Sequence, residues 1–213
     1  MDELNVTLAR EGLEAFYADD DCCYVRNTKT GTNGIPEPVL TRALSVEERR
    51  TQERLEEFLN RASEDELIAE VLLPLFETLG FRRVSVAGHA DKALEYGKDL
   101  WMKYLLPTGH WLYFGLQAKK GKLDAAGRSD ANVAEVLNQV SMMLGHTLFD
   151  PDINKRRLVD HAIIATGGGI TKQAKNWLGE RLDASQRSQI MFMDRTEVVR
   201  LFVLHNVPLP AED

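Results

Sequence analysis

Asp99, Gln117 and Lys119 are the residues of this chain whose types and spacing could do chemistry together. Asp99 stands where the turn Glu95-Tyr96-Gly97-Lys98 enters the apolar run Leu100-Trp101-Met102. Gln117 and Lys119 fall two apart in the run Leu116-Gln117-Ala118-Lys119-Lys120-Gly121. Both segments read as neighbouring strands. Alternate side chains of a strand project from one face, so Gln117 and Lys119 share a face while Leu116, Ala118 and Lys120 take the other. A hard cation such as Mg²⁺ or Mn²⁺ takes oxygen ligands, which the Asp99 carboxylate and the Gln117 carbonyl oxygen would supply. An ammonium beside them would stabilise charge on a phosphate or orient an attacking water.

The elements around these strands can be read from periodicity and capping. Two helices each open with a capping box, Ser45-Val46-Glu47-Glu48 and Ser63-Glu64-Asp65-Glu66. The first, about 46 to 61, is mostly charged and offers only Val46, Leu55, Phe58 and Leu59 for packing. The second carries Leu67, Ile68, Val71, Leu72, Leu75, Phe76 and Leu79 on one broad face. Pro74 cannot donate a hydrogen bond to the Glu70 carbonyl, which predicts a kink. A helix from about Asn132, a strand Ala162–Thr166, the turn Gly167-Gly168-Gly169 and a strand Ile190–Asp194 leading into a last helix complete the order. The triple glycine lacks the Gly-Lys-Ser/Thr of a phosphate loop and reads as a flexible strand-to-helix turn with Thr171 as N-cap.

The Gly97-Lys98-Asp99 turn, the Gln117-Ala118-Lys119 strand and the element order α-β-β-β-α-β-α-β-α across about residues 63 to 205 resemble the PD-(D/E)xK restriction-endonuclease-like superfamily. The Mrr-like branch, which carries Gln at the middle motif position, is the closer likeness. The resemblance implies a three-layer α/β/α core around a central mixed sheet, and Mg²⁺- or Mn²⁺-dependent hydrolysis of DNA in restriction or phage defence. It further implies an acidic residue on the second helix that reaches the metal. Glu70 borders the apolar stripe and is preferred over Glu66, which the capping box already engages; Glu95 is a further acidic candidate. Gln117 in place of a carboxylate lowers the negative charge of the site, so a nucleic-acid-binding or assembly subunit that keeps the fold without the chemistry is the alternative.

Composition narrows the partners. The chain has 213 residues and a formal charge of −7, which excludes indiscriminate coating of nucleic acid. The charge is uneven: Lys120, Lys122 and Arg128 follow Lys119, and Lys172 opens the helix after the triple glycine. These four are the expected nucleic-acid contacts, with Lys155-Arg156-Arg157 a second basic run. DNA is the expected substrate, and RNA would satisfy the same chemistry. A protein partner that gates the nuclease and a homodimer are further expectations. Cys22 and Cys23 are adjacent, a poor arrangement for a disulfide, and no apolar run approaches a bilayer span, so a cytoplasmic protein with no membrane contact is expected. Residues 1–44 read as an arm or hairpin, with Tyr24-Val25-Arg26 and Val39-Leu40 as its strands, and residues 45–213 as the nuclease domain, its first helix 45–61 peripheral.

Overall fold

In a computed structural model the chain divides into two compact units, Met1–Leu44 and Ser45–Asp213. The structure describes residues 13–17, 23–27, 44–86, 98–125 and 131–211. In the first unit, strand β1 (Leu13–Tyr17) pairs antiparallel with β2 (Cys23–Asn27). The strand read at residues 24–26 therefore takes its partner from upstream; Val39 and Leu40 lie outside the described residues.

The second unit is built on a five-stranded mixed sheet. Its strands are β3 (Arg82–Val86), β4 (Leu100–Leu105), β5 (Trp111–Lys119), β10 (His161–Thr166) and β11 (Ile190–Met193), in the spatial order β11-β10-β5-β4-β3. The pairs β3–β4 and β4–β5 are antiparallel, while β5–β10 and β10–β11 are parallel. The short pieces β6 (Leu123–Asp124) and β7 (Ala131–Asn132) pair with each other, as do β8 (Leu148–Asp150) and β9 (Lys155–Arg157). Helices α1 (Val46–Arg61), α3 (Val133–Gly145), α4 (Lys172–Arg181), α5 (Ala184–Gln189) and α6 (Arg195–Leu204) complete the unit with the segmented α2. The order α2-β3-β4-β5-α3-β10-α4-β11-α6 is the one expected for a three-layer α/β/α core.

Helix α2 is made of three segments: α over Glu64–Glu66, π over Leu67–Leu72, and α again over Leu73–Thr78. The physical cause is the one that predicted a kink. Pro74 has no N–H for the Glu70 carbonyl, and the helix widens instead, with Leu73 N–H donating to Ile68 O. Both capping boxes form as read, Ser63 Oγ accepting from Glu66 N at 3.2 Å and Glu66 Oε2 from Ser63 N at 2.6 Å. In α1, Leu55 and Leu59 are buried, and Arg195 of α6 clamps the helix through the Glu56 carbonyl and Asn60.

Strand parity sorts the two faces of the sheet. On one, Phe114 meets Phe81, which meets Phe76 of α2, with ring centroids 5.2 Å apart in each pair. On the other, Ala162 and Ile164 of β10 pack with Val136, Val140 and Met143 of α3 and Ala174 and Leu178 of α4. These two apolar layers bury the sheet between helices, the arrangement that supplies most of the stability of such a fold.

Gly167 and Gly168 of the triple glycine have a different reason from flexibility. A Cβ on Gly168 would lie 2.7 Å from Lys122 N, and one on Gly167 would lie 2.6 Å from Lys120 O, so the turn is pressed against the loop that follows β5. Gly168→Ala should therefore cost about 1–3 kcal/mol, because backbone opposes backbone and neither side can rotate away. A lowered urea midpoint would show it; an unchanged midpoint would mean that the two loops separate freely.

Candidate functional site

β4 and β5 are joined by a tight turn and paired Leu100↔Leu116 through Leu105↔Trp111. This register sets Asp99, one residue before β4, beside Gln117 and Ala118 near the end of β5. Asp99 N–H donates to Leu116 O at 2.9 Å, which continues the ladder by one residue and fixes the backbone beneath the carboxylate. Gln117 Nε2 and Ala118 N–H each donate to Asp99 Oδ2 at 2.7 Å. The Gln117 amide also points its Nε2 at Ala118 O, 3.3 Å away, so its Oε1 accepts no hydrogen bond from a described residue. Gln117 is 2% exposed.

Lys119 projects from the same face, as parity requires, and is 8% exposed. Its Nζ lies 3.7 Å from Glu64 Oε1 and 3.5 Å from Glu135 Oε1. The ammonium is thereby held between the first turn of α2 and the first turn of α3. Burial pushes the Asp99 carboxyl up to about 6, against the lowering effects of the Ala118 N–H, the Lys119 charge and the Gln117 amide. The negative charge of Glu64 adds to the upward push, which places that carboxylate in the electrostatic neighbourhood of Asp99. Lys98 is 4% exposed, and burial brings its ammonium down to about 8.

The structure thus brings Asp99, Gln117 and Lys119 together and treats the remaining site candidates differently. Glu70 is exposed on the π segment, with no hydrogen bond or ion pair to a described residue. Glu66 is exposed and engaged in its capping box, where the Ser63 N–H and hydroxyl hold its carboxyl below the usual range. Glu64 is the α2 carboxylate that reaches the site. The decisive fact is that the N-terminal end of α2 abuts the end of β5. Lys120 N–H donates to Glu64 Oε2 at 3.3 Å, which ties the two together. Glu95 and Arg128 lie outside the described residues.

Glu135 was also missed, and its signal was faint: a glutamate in the first turn of the helix expected to cover the sheet beside the site. It accepts from Gln139 Nε2 at 3.1 Å. The basic residues expected to contact nucleic acid stand on the loop after β5 and at the start of α4, which meet. Lys120 and Lys122 follow β5, and Lys172 follows Thr171, whose N–H donates to Leu123 O at 3.1 Å. Lys122 pairs with Asp124 at 3.6 Å.

Among the described residues no group of three or more His, Cys, Asp and Glu forms a metal cluster. The donor set nonetheless fits a single hard cation. It consists of oxygen atoms only, from the Asp99 carboxylate, the Gln117 Oε1 and the Glu64 carboxylate.

No protein-family model and no curated protein matches the chain. Two solved structures are similar to it. One is the MspJI restriction endonuclease in complex with a 27-mer oligonucleotide, with a TM-score of 0.41 and 16% identity over 80% of this chain. The other is the DNA modification-dependent restriction endonuclease AspBHI, with a TM-score of 0.44 and 15% identity over 95% of this chain. The chain spans 36% and 58% of the length of those two proteins.

Proposed function

We propose that this protein is a metal-dependent endonuclease that hydrolyses phosphodiester bonds in DNA, built on the Gln variant of the PD-(D/E)xK site. The observation that carries the reading is the convergence of Asp99, Gln117 and Lys119 on one face where β4 and β5 meet, with Asp99 Oδ2 bonded to Gln117 Nε2. Asp99, Gln117 Oε1 and Glu64 are the residues that would hold Mg²⁺ or Mn²⁺. When bound, such an ion acts as a Lewis acid on a phosphoryl oxygen and lowers the pKa of water.

The chain's own groups supply the rest. Asp99 is ionised above about pH 6 and ready to act as a ligand. The Lys119 ammonium, oriented by Glu64 and Glu135, meets the charge that grows on the phosphoryl oxygens and orients the attacking water. Its burial strengthens that interaction relative to the same charge in bulk water. Lys120, Lys122 and Lys172 hold neighbouring phosphates. The biology in this reading is restriction or phage defence, with a protein partner or self-assembly that gates cutting.

The test is cleavage of supercoiled plasmid with Mg²⁺ or Mn²⁺ by the wild type, Asp99→Ala and Lys119→Ala. Nicking by the wild type should fall to background in the first variant and by about 10²–10³-fold in the second. Within the same assay, Glu64→Ala should lower the rate by about 10–100-fold at fixed Mg²⁺. Glu70→Ala should stay within about twofold, as surface substitutions do. Equal losses from both glutamates would return the ligand role to the π segment. A second reading, a DNA-binding subunit without chemistry, is favoured by one observation: the amide of Gln117 stands where a second carboxylate would strengthen metal binding. Duplex binding by all of these proteins without any cleavage would select it.

A further inference from the structure

The hairpin β8–β9 carries a concentration of positive charge that the site does not use. Lys155, Arg156 and Arg157 are all exposed, and none forms an ion pair with a described residue. In a chain with a formal charge of −7, three successive exposed cations are a local excess of positive charge. The register Phe149↔Arg156 puts an aromatic ring and a guanidinium side by side on the outward face, and Phe149 is 50% exposed. Leu148 and Asp150, the alternate residues of β8, point the other way and are buried.

What lies beneath explains why the hairpin stands rigidly. Asp150 is 0% exposed and Lys103, on β4, is 1% exposed. Lys103 Nζ donates to Asp150 Oδ1 and Oδ2 at 3.2 and 3.0 Å and to Asp152 Oδ2 at 2.6 Å. Tyr113 Oη donates to Asp150 Oδ2 at 2.8 Å, and Asp152 N–H to Asp150 Oδ1 at 3.0 Å. The Lys103 ammonium also lies 4.8 Å from the Trp111 ring centroid. Burying charges in this way gives little net stability but fixes one geometry. Here it pins the base of the hairpin to the sheet and leaves the basic strand outside.

The anchor and the site share a sheet face. Tyr113, Gln117 and Lys119 are alternate positions of β5, so the anchoring point lies four residues from Gln117, about 13 Å along the strand.

We infer that the β8–β9 hairpin is a duplex-DNA contact, in which the exposed Lys155, Arg156 and Arg157 bind phosphates beside the cleavage position and Phe149 packs against the groove edge. The choice of duplex as the polyanion rests on the endonuclease reading. Charge complementarity selects the partner: a protein surface offering continuous negative charge at this spacing is a rarer object than a phosphate backbone. The aromatic beside the Arg156 guanidinium supplies apolar contact on that face.

The test is equilibrium binding of the intact chain to a duplex several helical turns long, in EDTA, as a function of NaCl concentration. The triple variant Lys155→Gln/Arg156→Gln/Arg157→Gln is compared with the wild type and with Arg49→Gln/Arg50→Gln/Arg54→Gln, which changes the charge equally on α1. Loss of the hairpin contacts should reduce the slope of log K against log salt by about 2–3, at roughly 0.9 per phosphate, and the α1 variant should leave it within about half a unit. Phe149→Ala should weaken binding several-fold without changing the slope.

An unchanged slope in the hairpin variant, or equal losses in both triple variants, overturns the proposal. So does an unchanged slope accompanied by a smaller oligomeric mass for Phe149→Asp, which would assign the face to a protein partner. The readout needs no cleavage and so separates the two ideas. Hairpin-dependent binding by a protein that never cuts removes the endonuclease and keeps the contact. Cutting by the hairpin variant with wild-type affinity does the reverse.

Discussion

Asp99→Asn is expected to stabilise the metal-free protein while abolishing cleavage. Burial raises the Asp99 carboxyl from 3.8 to about 6, and that shift is a stability statement. Between about pH 4 and pH 6 the folded protein keeps a proton that the unfolded chain has released, so stability falls as pH rises through that window. Above it the charged group costs about 3 kcal/mol, taking ~1.4 kcal/mol per unit. Asparagine removes the charge but accepts weaker bonds from the Gln117 amide and the Ala118 N–H, so the net gain should be about 1–2 kcal/mol. For a domain of this size that is a rise of roughly 3–6 °C in Tm.

The measurement is thermal unfolding in EDTA at about pH 7.5 and about pH 4, on either side of the titration window. The advantage of the variant should be present at the higher pH and absent at the lower, where the wild-type carboxyl is already neutral. Excess Mg²⁺ should shrink the difference by stabilising the wild type alone. A variant less stable than the wild type at the higher pH would contradict the account of Asp99 as a charge held at the site at the fold's expense.

The second large effect is expected far from the chemistry. Lys103→Met should destabilise the protein by roughly 3–5 kcal/mol, because it strands the Asp150 carboxylate at 0% exposure with only the Tyr113 hydroxyl and the Asp152 N–H as donors. Burial alone would raise Asp150, but the bonds from Lys103 and Tyr113 hold its carboxyl below the usual range. Its contribution is therefore present above the ordinary carboxylate pKa and lost as pH falls through the depressed one. Lys103→Met/Asp150→Leu should recover most of the loss, since apolar side chains of similar volume replace a buried ion pair at little cost. Circular dichroism melts of the single and double variants decide it. A single variant within about 1 kcal/mol of the wild type would mean that water reaches Asp150.

How much of this was legible follows from which interactions are local. The two capping boxes, the strand parity that selects Lys119 over Lys120, and the core element order depend on neighbours within a few residues, and the sequence displays them. Glu64 was not legible because its role depends on which end of α2 meets β5, a long-range fact with no periodic trace. Pro74 announced a departure from regular helix, but whether the chain kinks or widens is decided by packing on both sides. The Lys103–Asp150 pair joins residues 47 apart in sequence. Its one available signal was a lysine inside an apolar strand, on the same parity as Trp101. The triple glycine was visible as a turn, while the reason for glycine lies in a loop nearly fifty residues upstream.

The strand order has a consequence for how the protein can grow. β11 and β3 are the margins of the sheet, and β5 lies two places in from β11. A strand from another polypeptide laid along Ile190–Met193 would satisfy the amide groups of that border and settle beside Met191, which is 48% exposed. It would run about 14 Å from β5, at ~4.8 Å per step. Enlargement at that border would therefore leave the Asp99 carboxylate as approachable as before. Augmentation at that border and the proposed chemistry at Asp99 would be alterable one at a time.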